Sequence, residues 1–272
     1  MRVLAVAVLV CGLLTGACGG AAAGSILDKR TWVIGVRPDL PGLGLKRADG
    51  TFEGFDVDVA RYVTAKLGRE ARFVQALASE RIPKLLSGEV DLMAATFSIT
   101  PDRKSTIAFA GPYHLSYQDI LVRADDRAVR TVRDLSGRRI CAVRGSDAAQ
   151  RLVATRAVRA SVVPADDYDR CVLLLRDRTV DAITTNDVIL AGLAIRERGA
   201  FRLVNAKFGE QRTGIGLRLG DPDGCEAINK AITEMYQDGT AERLVRRWFG
   251  RSGLDISIVE VPQFEGCDDR PR

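Results

Sequence analysis

Apolar positions along the chain change period repeatedly, and each change predicts an element. Thr31 to Val36 reads as a strand. Phe55, Val59, Val63 and Leu67 then recur every four residues, as one face of a helix does, with Asp56 near its start and Gly68 at its stop. Further strands are predicted over 71–74 and 92–95, with a short helix over 82–86 between them. A second block begins near Ile120. Strands over 120–123, 140–143 and 182–184 alternate there with helices around 148–153 and 169–176. Two last helices, 226–236 and 241–248, carry Ile228, Ile232, Met235, Leu244 and Val245 at helical spacing, which is core packing. Alternation of this kind predicts an α/β protein whose sheets are mostly parallel and flanked by helices.

The ends add a destination. Arg2, the apolar residues 3–10 and Thr15-Gly-Ala17 read as a secretory signal over 1–17. Cys18 follows, and small residues from Gly19 to Ser25 form a tether within 18–27. This resembles a lipobox with Cys18 diacylated, although Thr15 stands where leucine is usual and Leu14 is one place early. Plain secretion with an incidental cysteine is the alternative. A transmembrane helix fits less well, because the uncharged stretch is short and broken by Gly12 and Gly16. No second hydrophobic span follows, so the mature chain is expected to be soluble apart from its anchor.

The chain's 272 residues suffice for one large core or two smaller ones, and its net charge is +5 from 40 basic and 35 acidic residues. The two signs are mixed, and no basic stripe is interleaved with aromatics, which argues against nucleic acid. Surplus arginine would suit a positive cleft that attracts anions. Beyond Cys11 and Cys18 four cysteines remain, and in an exported chain an even count suggests two disulfides. Cys141–Cys171 and Cys225–Cys267 are favoured, since each pair then lies within one predicted unit. Each closure adds about 3–4 kcal/mol on a loop-entropy argument. Zinc is the rival reading, but no C-x-x-C pair exists and the one histidine is His114. No metal or cofactor is expected.

The most informative run extends from Glu89 to Tyr113. Its strand ends in hydroxyls at Thr96, Ser98 and Thr100; Pro101 stops extended pairing, and Arg103 follows. Hydroxyls, turn amides and a guanidinium at one strand end make a receptor for a carboxylate. A strand, a turn and a solvated arginine is the plain alternative.

With Gly54-Phe-Asp-Val-Asp-Val59, Leu85-Leu-Ser-Gly-Glu-Val-Asp91, Gly111-Pro-Tyr113, Val180-Asp-Ala-Ile-Thr-Thr185, Gly214-Ile-Gly-Leu217 and Trp248-Phe-Gly250, the chain from Trp32 to Phe249 is similar to the polar amino-acid family of solute-binding proteins. These are extracytoplasmic receptors of ABC importers. The resemblance implies a two-lobed periplasmic-binding-protein type II fold, crossed just after Tyr113 and again near Gly214. One lobe would be 28–114 plus 215–262, the other 115–214, with a C-terminal tail over 263–272. Ligands lie between such lobes at strand carboxyl ends and are enclosed by hinge closure. His114, at the first crossing, is expected to be hinge packing.

By resemblance Arg103 holds an α-carboxylate, helped by Thr96 and Ser98. Arg37 stands where binders of cationic amino acids carry an acid, and Arg81 matches the arginine of glutamate- and aspartate-binding members. The loop from Pro41 to Leu45 is similar to that of actinobacterial glutamate-binding lipoproteins. Three arginines at one cleft repel each other, on the order of 4 kcal/mol per close pair. The cleft is therefore expected to stay open until a dicarboxylate neutralises it. Ordinary surface arginines, and a neutral ligand such as glutamine, are the alternatives.

On the other lobe, Gly145, Ser146 and Asp147 open a helix whose amides suit a carboxylate. Asp147 replaces the usual threonine and is expected to turn inward as a cap. Asn186 falls where an aspartate usually grips the α-ammonium. Either Asp187 takes over, or the ligand is not a standard α-amino acid. Tyr168 is expected to touch the ligand side chain.

The implied function is a monomeric, lipid-anchored receptor on the extracytoplasmic membrane face, delivering an acidic amino acid to an ABC permease. A sensor reporting to a membrane partner needs the same cleft. A cyclohexadienyl-type dehydratase would need a general acid; with no histidine for that task, and only Asp187 or Glu210 left, no enzyme is expected.

Overall fold

Two groups of parallel strands, one early and one late in the chain, are tied together by two long antiparallel strands. The computed structural model describes residues 24–156, 158–252, 254, 256 and 261–267; the expected leader and Cys18 lie outside the described residues. The first group opens with β1 (Thr31–Val36), a hairpin of β2 (Asp39–Leu40), β3 (Gly44–Lys46) and β4 (Phe52–Glu53), and helix α1 (Phe55–Lys66). It continues with β5 (Glu70–Gln75), α2 (Arg81–Ser87), β6 (Leu92–Ser98) and the single turn α3 (Pro101–Lys104). The long strand β7 (Ala108–Arg123) leaves it.

The second group holds β8 (Arg139–Val143), α4 (Ala148–Arg156), β9 (Ser161–Ala165), α5 (Tyr168–Arg176), β10 (Ala182–Asn186), α6 (Asp187–Arg196) and β11 (Phe201–Leu203). Strand β12 (Phe208–Leu217) returns to the first group, where α7 (Pro222–Gln237) and α8 (Thr240–Phe249) finish the fold.

The strand order is β5-β1-β6-β12-β7-β10-β8-β9, with β11 also on β7. β1 pairs in parallel with β5 and β6, and β8 in parallel with β9 and β10, as the alternation of strands and helices predicts. β12 runs antiparallel to β6 and β7, and β7 antiparallel to β10, so both parallel groups join one sheet. The β7–β12 register shifts between Thr213 and Ile215, at the level of His114.

Each group buries its own apolar stripe. α1 covers the first with Phe55, Val59 and Val63, and α7 adds Ile228, Ile232 and Met235. The second group buries Ile120, Val122, Ile140, Leu152 and Ala182. Each large side chain so buried contributes about 1.5–3 kcal/mol. His114 packs its ring 5.2 Å from Phe55 of α1 and 5.7 Å from Phe249 of α8.

Both expected disulfides are present. Cys141 on β8 bonds Cys171 on α5, and Cys225 on α7 bonds Cys267, with Cα separations of 5.6 and 5.8 Å. The second brings the C-terminal segment onto the crossing, where Glu265 N donates to Gly111 O at 2.8 Å and the Glu265 carboxylate pairs with Arg212 at 2.6 Å. Among the described residues, no helix is long and apolar enough to cross a membrane.

Candidate functional site

A small polar cavity lies where the two lobes meet. One wall comes from the ends of β1 and β6 and the starts of α2 and α3, and supplies Arg37, Ala78, Arg81, Thr96, Ser98 and Arg103. The other comes from the β8–α4 turn, the first turn of α5, the end of β10 and α6. It supplies Ser146, Asp147, Tyr168, Thr185, Asn186 and Ile189. Nine of the ten residues expected from sequence thus share one cavity. Asp187 does not join them: its Oδ1 accepts from the amides of Tyr117 at 3.3 Å and Val188 at 2.8 Å, on the far side of the strand. As the first residue of α6 it is turned away by one backbone step from Asn186, so it cannot stand in for Asn186 from there.

The three cavity arginines are held differently. Arg37 lies against Asp39 in a two-pronged pair, Nε to Oδ1 at 2.8 Å and Nη2 to Oδ2 at 2.6 Å, with both side chains buried. Arg81 is buried, and its recorded bonds go to carbonyls: Ala78 at 3.0 Å, Ala95 and Thr96 at 3.2 Å, and Gly145 across the cavity at 2.8 Å. Burial, reinforced by the nearby Arg103 and Arg37 cations, pushes its pKa well down. Arg103 donates to Ser98 O at 2.7 Å and Gly145 O at 3.0 Å, and approaches Asp147 at 3.5 Å.

The expected mutual repulsion is present at Arg81 but is partly offset, and the two walls meet instead of standing open. Asp39, Asp147 and several carbonyl dipoles offset the positive charge within the protein, and the lobes touch. At Gly145 the contact is so close that a Cβ would lie 2.4 Å from Ala78 O, on a backbone with φ +79°; only glycine fits.

The opposite wall departs from expectation at Asp147. Its carboxylate contacts Arg103 on one side at 3.5 Å and Arg151 of α4 at 3.3 Å on the other, and it remains part of the cavity lining. Tyr168 is buried, donates to Thr185 Oγ1 at 2.7 Å, and stacks near Arg37 at 5.6 Å. Burial pushes its phenol pKa up. Asn186 Nδ2 reaches Ser116 Oγ at 3.4 Å.

Ala78, Thr185 and Ile189 were not anticipated. Thr185 had a legible signal, a strand ending in consecutive polar residues; Ile189 had none, because one apolar residue on an apolar helix looks like core.

Two lobes linked by two strands, with a polar cavity where they meet, define a two-lobed binding protein. Among solved structures, the chain is similar to an ancestral arginine-binding protein bound to glutamine, with 29% identity, a TM-score of 0.76, and coverage of 82% of this chain and 99% of that one. Residues 32–251 match the model of the bacterial extracellular solute-binding proteins, family 3, and the chain belongs to that family. Membership places it among binding proteins, not enzymes. It is 34% identical to the glutamate-binding protein GluB of Corynebacterium glutamicum over 92% of this chain and 90% of that protein. It is 30% identical to the ABC transporter glutamine-binding protein GlnH of Bacillus subtilis over 82% of this chain and 83% of that one.

Proposed function

We propose that this chain is the substrate-binding component of an ABC amino-acid importer and that its ligand is an acidic amino acid, L-glutamate or L-aspartate. The observation that carries the reading is the charge at the cavity. Three guanidiniums, those of Arg37, Arg81 and Arg103, line it against one lining carboxylate, Asp147, and counting Asp39, which pairs with Arg37, leaves three cations to two anions. Arg81 donates to four backbone carbonyls and lies over the Phe97 ring at 4.4 Å, and no carboxylate pairs with it directly among the described residues, so a second ligand carboxylate has a buried cation to meet.

In this reading Arg103, with Ser98, holds the α-carboxylate and Arg81 the side-chain carboxylate, while Thr96, whose amide and hydroxyl both donate to Asp56, shapes the wall beside them. Arg37 and Tyr168 border the side chain, and the amides at Ser146 face the ligand. Asp147, the carboxylate lining the cavity, serves the α-ammonium in place of the neutral Asn186. The relationship to GluB supports the acidic ligand. GlnH and the glutamine-bound ancestor support a neutral one, which the pairing of Arg37 with Asp39 would also accommodate.

The lobes are taken as 28–114 plus 215–262 and 115–214, with closure about β7 and β12. The chain acts as a monomer beside its permease, anchored outside the cytoplasm through lipidated Cys18; the Thr15-Gly-Ala-Cys18 sequence supports that anchor. Calorimetric titration with L-glutamate, L-aspartate, L-glutamine, L-asparagine and L-arginine tests the ligand. The dicarboxylates should bind tightest, and Arg81→Met should cut the preference for glutamate over glutamine by about tenfold or more, about 1.4 kcal/mol. Tighter binding of glutamine or arginine to the unaltered protein would overturn the acidic assignment.

A further inference from the structure

Asp56 lies outside the cavity lining, on the first turn of α1, and is fully buried. Its Oδ2 accepts from both the backbone amide and the hydroxyl of Thr96, each at 2.6 Å, and its Oδ1 accepts from the Tyr113 hydroxyl at 2.7 Å. Three donors converging on two oxygens suit a carboxylate, which only accepts. The receiving residue is unusual. Thr96 has φ +45°, a left-handed backbone that a β-branched side chain rarely adopts. Such a conformation persists only where the surroundings impose it. Here it turns the end of β6 so that the Ala95 and Thr96 carbonyls both accept from Arg81 Nη1, each at 3.2 Å, while Thr96 itself lines the cavity.

Asp56 is itself firmly placed. Gly54 has φ +133°, and a Cβ there would lie 2.2 Å from Leu43 O, so the α1 start docks on the β2–β3 turn without a side chain between. The amides of Phe55 and Asp56 then donate to Gly42 O at 2.9 Å and Leu43 O at 3.0 Å. The helix N-terminus in turn favours a carboxylate at Asp56. The path runs from the hairpin turn through α1 and Asp56 to Thr96, and from Thr96 to Arg81.

We infer that Asp56 is a positioning residue of the binding site: its carboxylate straps Thr96 into the left-handed conformation that sets both Thr96 and Arg81 against the ligand. The inference rests on the reading of the cavity as an amino-acid site and adds a residue that touches no ligand. A purely structural tie between α1 and β6 would share the same bonds, so the test must separate the two.

Asp56→Asn keeps the shape and loses one acceptor oxygen, while Thr96→Gly adopts a positive φ without a strap. Titrating L-glutamate into the wild type, D56N, T96G and the double variant closes the cycle. D56N is expected to weaken binding at least tenfold in the wild-type background and less than threefold in the T96G background. Equal losses in both backgrounds, or a lowered melting temperature with unchanged affinity, would overturn the inference. If the wild type prefers another amino acid of the panel, the acidic assignment fails and the cycle is run with that ligand.

A crystal structure of D56N reads the strap without any ligand. Thr96 should leave the left-handed region and Arg81 should shift; Thr96 near +45° with Arg81 unmoved refutes the strap. Should D56N not fold, Thr96→Val, which deletes one donor to Asp56, is expected to weaken binding three- to tenfold. Unchanged affinity and an unchanged Arg81 in that variant would equally overturn it.

Discussion

The two walls of the cavity differ in how firmly their polar groups are held. On the β1–β6 side, Arg37 is locked in a buried two-pronged pair, Arg81 has four recorded bonds, and Thr96 is strapped by Asp56. On the β8–β10 side, Asn186 has a long bond of 3.4 Å, and Asp147 keeps 32% of its side chain exposed while contacting Arg103 at 3.5 Å. Tyr168 is the firm exception there. Groups already ordered lose little entropy when they meet a ligand, whereas looser ones must be fixed on binding. The first wall should therefore carry most of the affinity, through Arg103 for the carboxylate common to amino acids and through Arg81 for an acidic side chain, and the second should adjust to the amino group and set its contribution.

The most severe challenge to that contrast is Arg103→Ala. It should lower the affinity for every amino acid by at least a hundredfold in calorimetric titration, since truncating one partner of a buried charge pair costs about 2–5 kcal/mol. Micromolar affinity retained by the variant would mean that the firm wall does not hold the carboxylate.

A second test concerns the ground beneath the walls, and it opposes two buried groups. Burial pushes the His114 pKa down to about 4. The unfolded chain thus binds a proton between about pH 6.5 and 4 that the folded chain does not, and stability falls as pH drops through that window. Burial pushes Asp187 up to about 6, so its contribution is present below about pH 4 and lost as pH rises towards 6. Each amounts to about 3 kcal/mol, with opposite sign. Urea unfolding from pH 4 to 7 should give a nearly flat stability profile for the wild type. His114→Phe should make stability decline with rising pH, and Asp187→Asn should make it increase. Parallel profiles for all three would show that neither buried group titrates as described.

The smallest effects should come from the looser wall. Asp147→Asn is expected to weaken an α-amino ligand about tenfold, and Asn186→Asp to tighten it by up to tenfold, each about 1.4 kcal/mol by titration. If N186D changed affinity more than R103A, the ranking of the walls would be reversed.

Much of the fold was legible because it depends on local patterns. The four-residue recurrence from Phe55 to Val63 becomes the buried face of α1, and the apolar stripe from Ile228 to Met235 becomes that of α7. β12 was not legible. Its sequence carries three glycines among alternating polar residues, and it forms a strand because β6 and β7 supply partners on both edges. The hairpin β2–β4 was hidden for a similar reason, being built of two- and three-residue strands around a glycine turn.

The cavity divides in the same way. Hydroxyls and a guanidinium at one strand end pointed to Thr96, Ser98 and Arg103, a helix start pointed to Ser146, and the resemblance to the family pointed to Arg37, Arg81, Tyr168 and Asn186. Pairing was another matter. That Asp39 occupies Arg37, that Asp147 reaches across to Arg103, that Asp187 turns its back on the cavity, and that Asp56 governs Thr96 were all decided by the packed chain.

The sequence by itself determined most of the elements, the family and the cationic residues of the site, since period and side-chain chemistry are properties of the chain alone. Tertiary structure decided which charges cancel and which remain for a ligand. That depends on distances of a few ångströms between residues far apart in sequence, 40 positions in the case of Asp56 and Thr96.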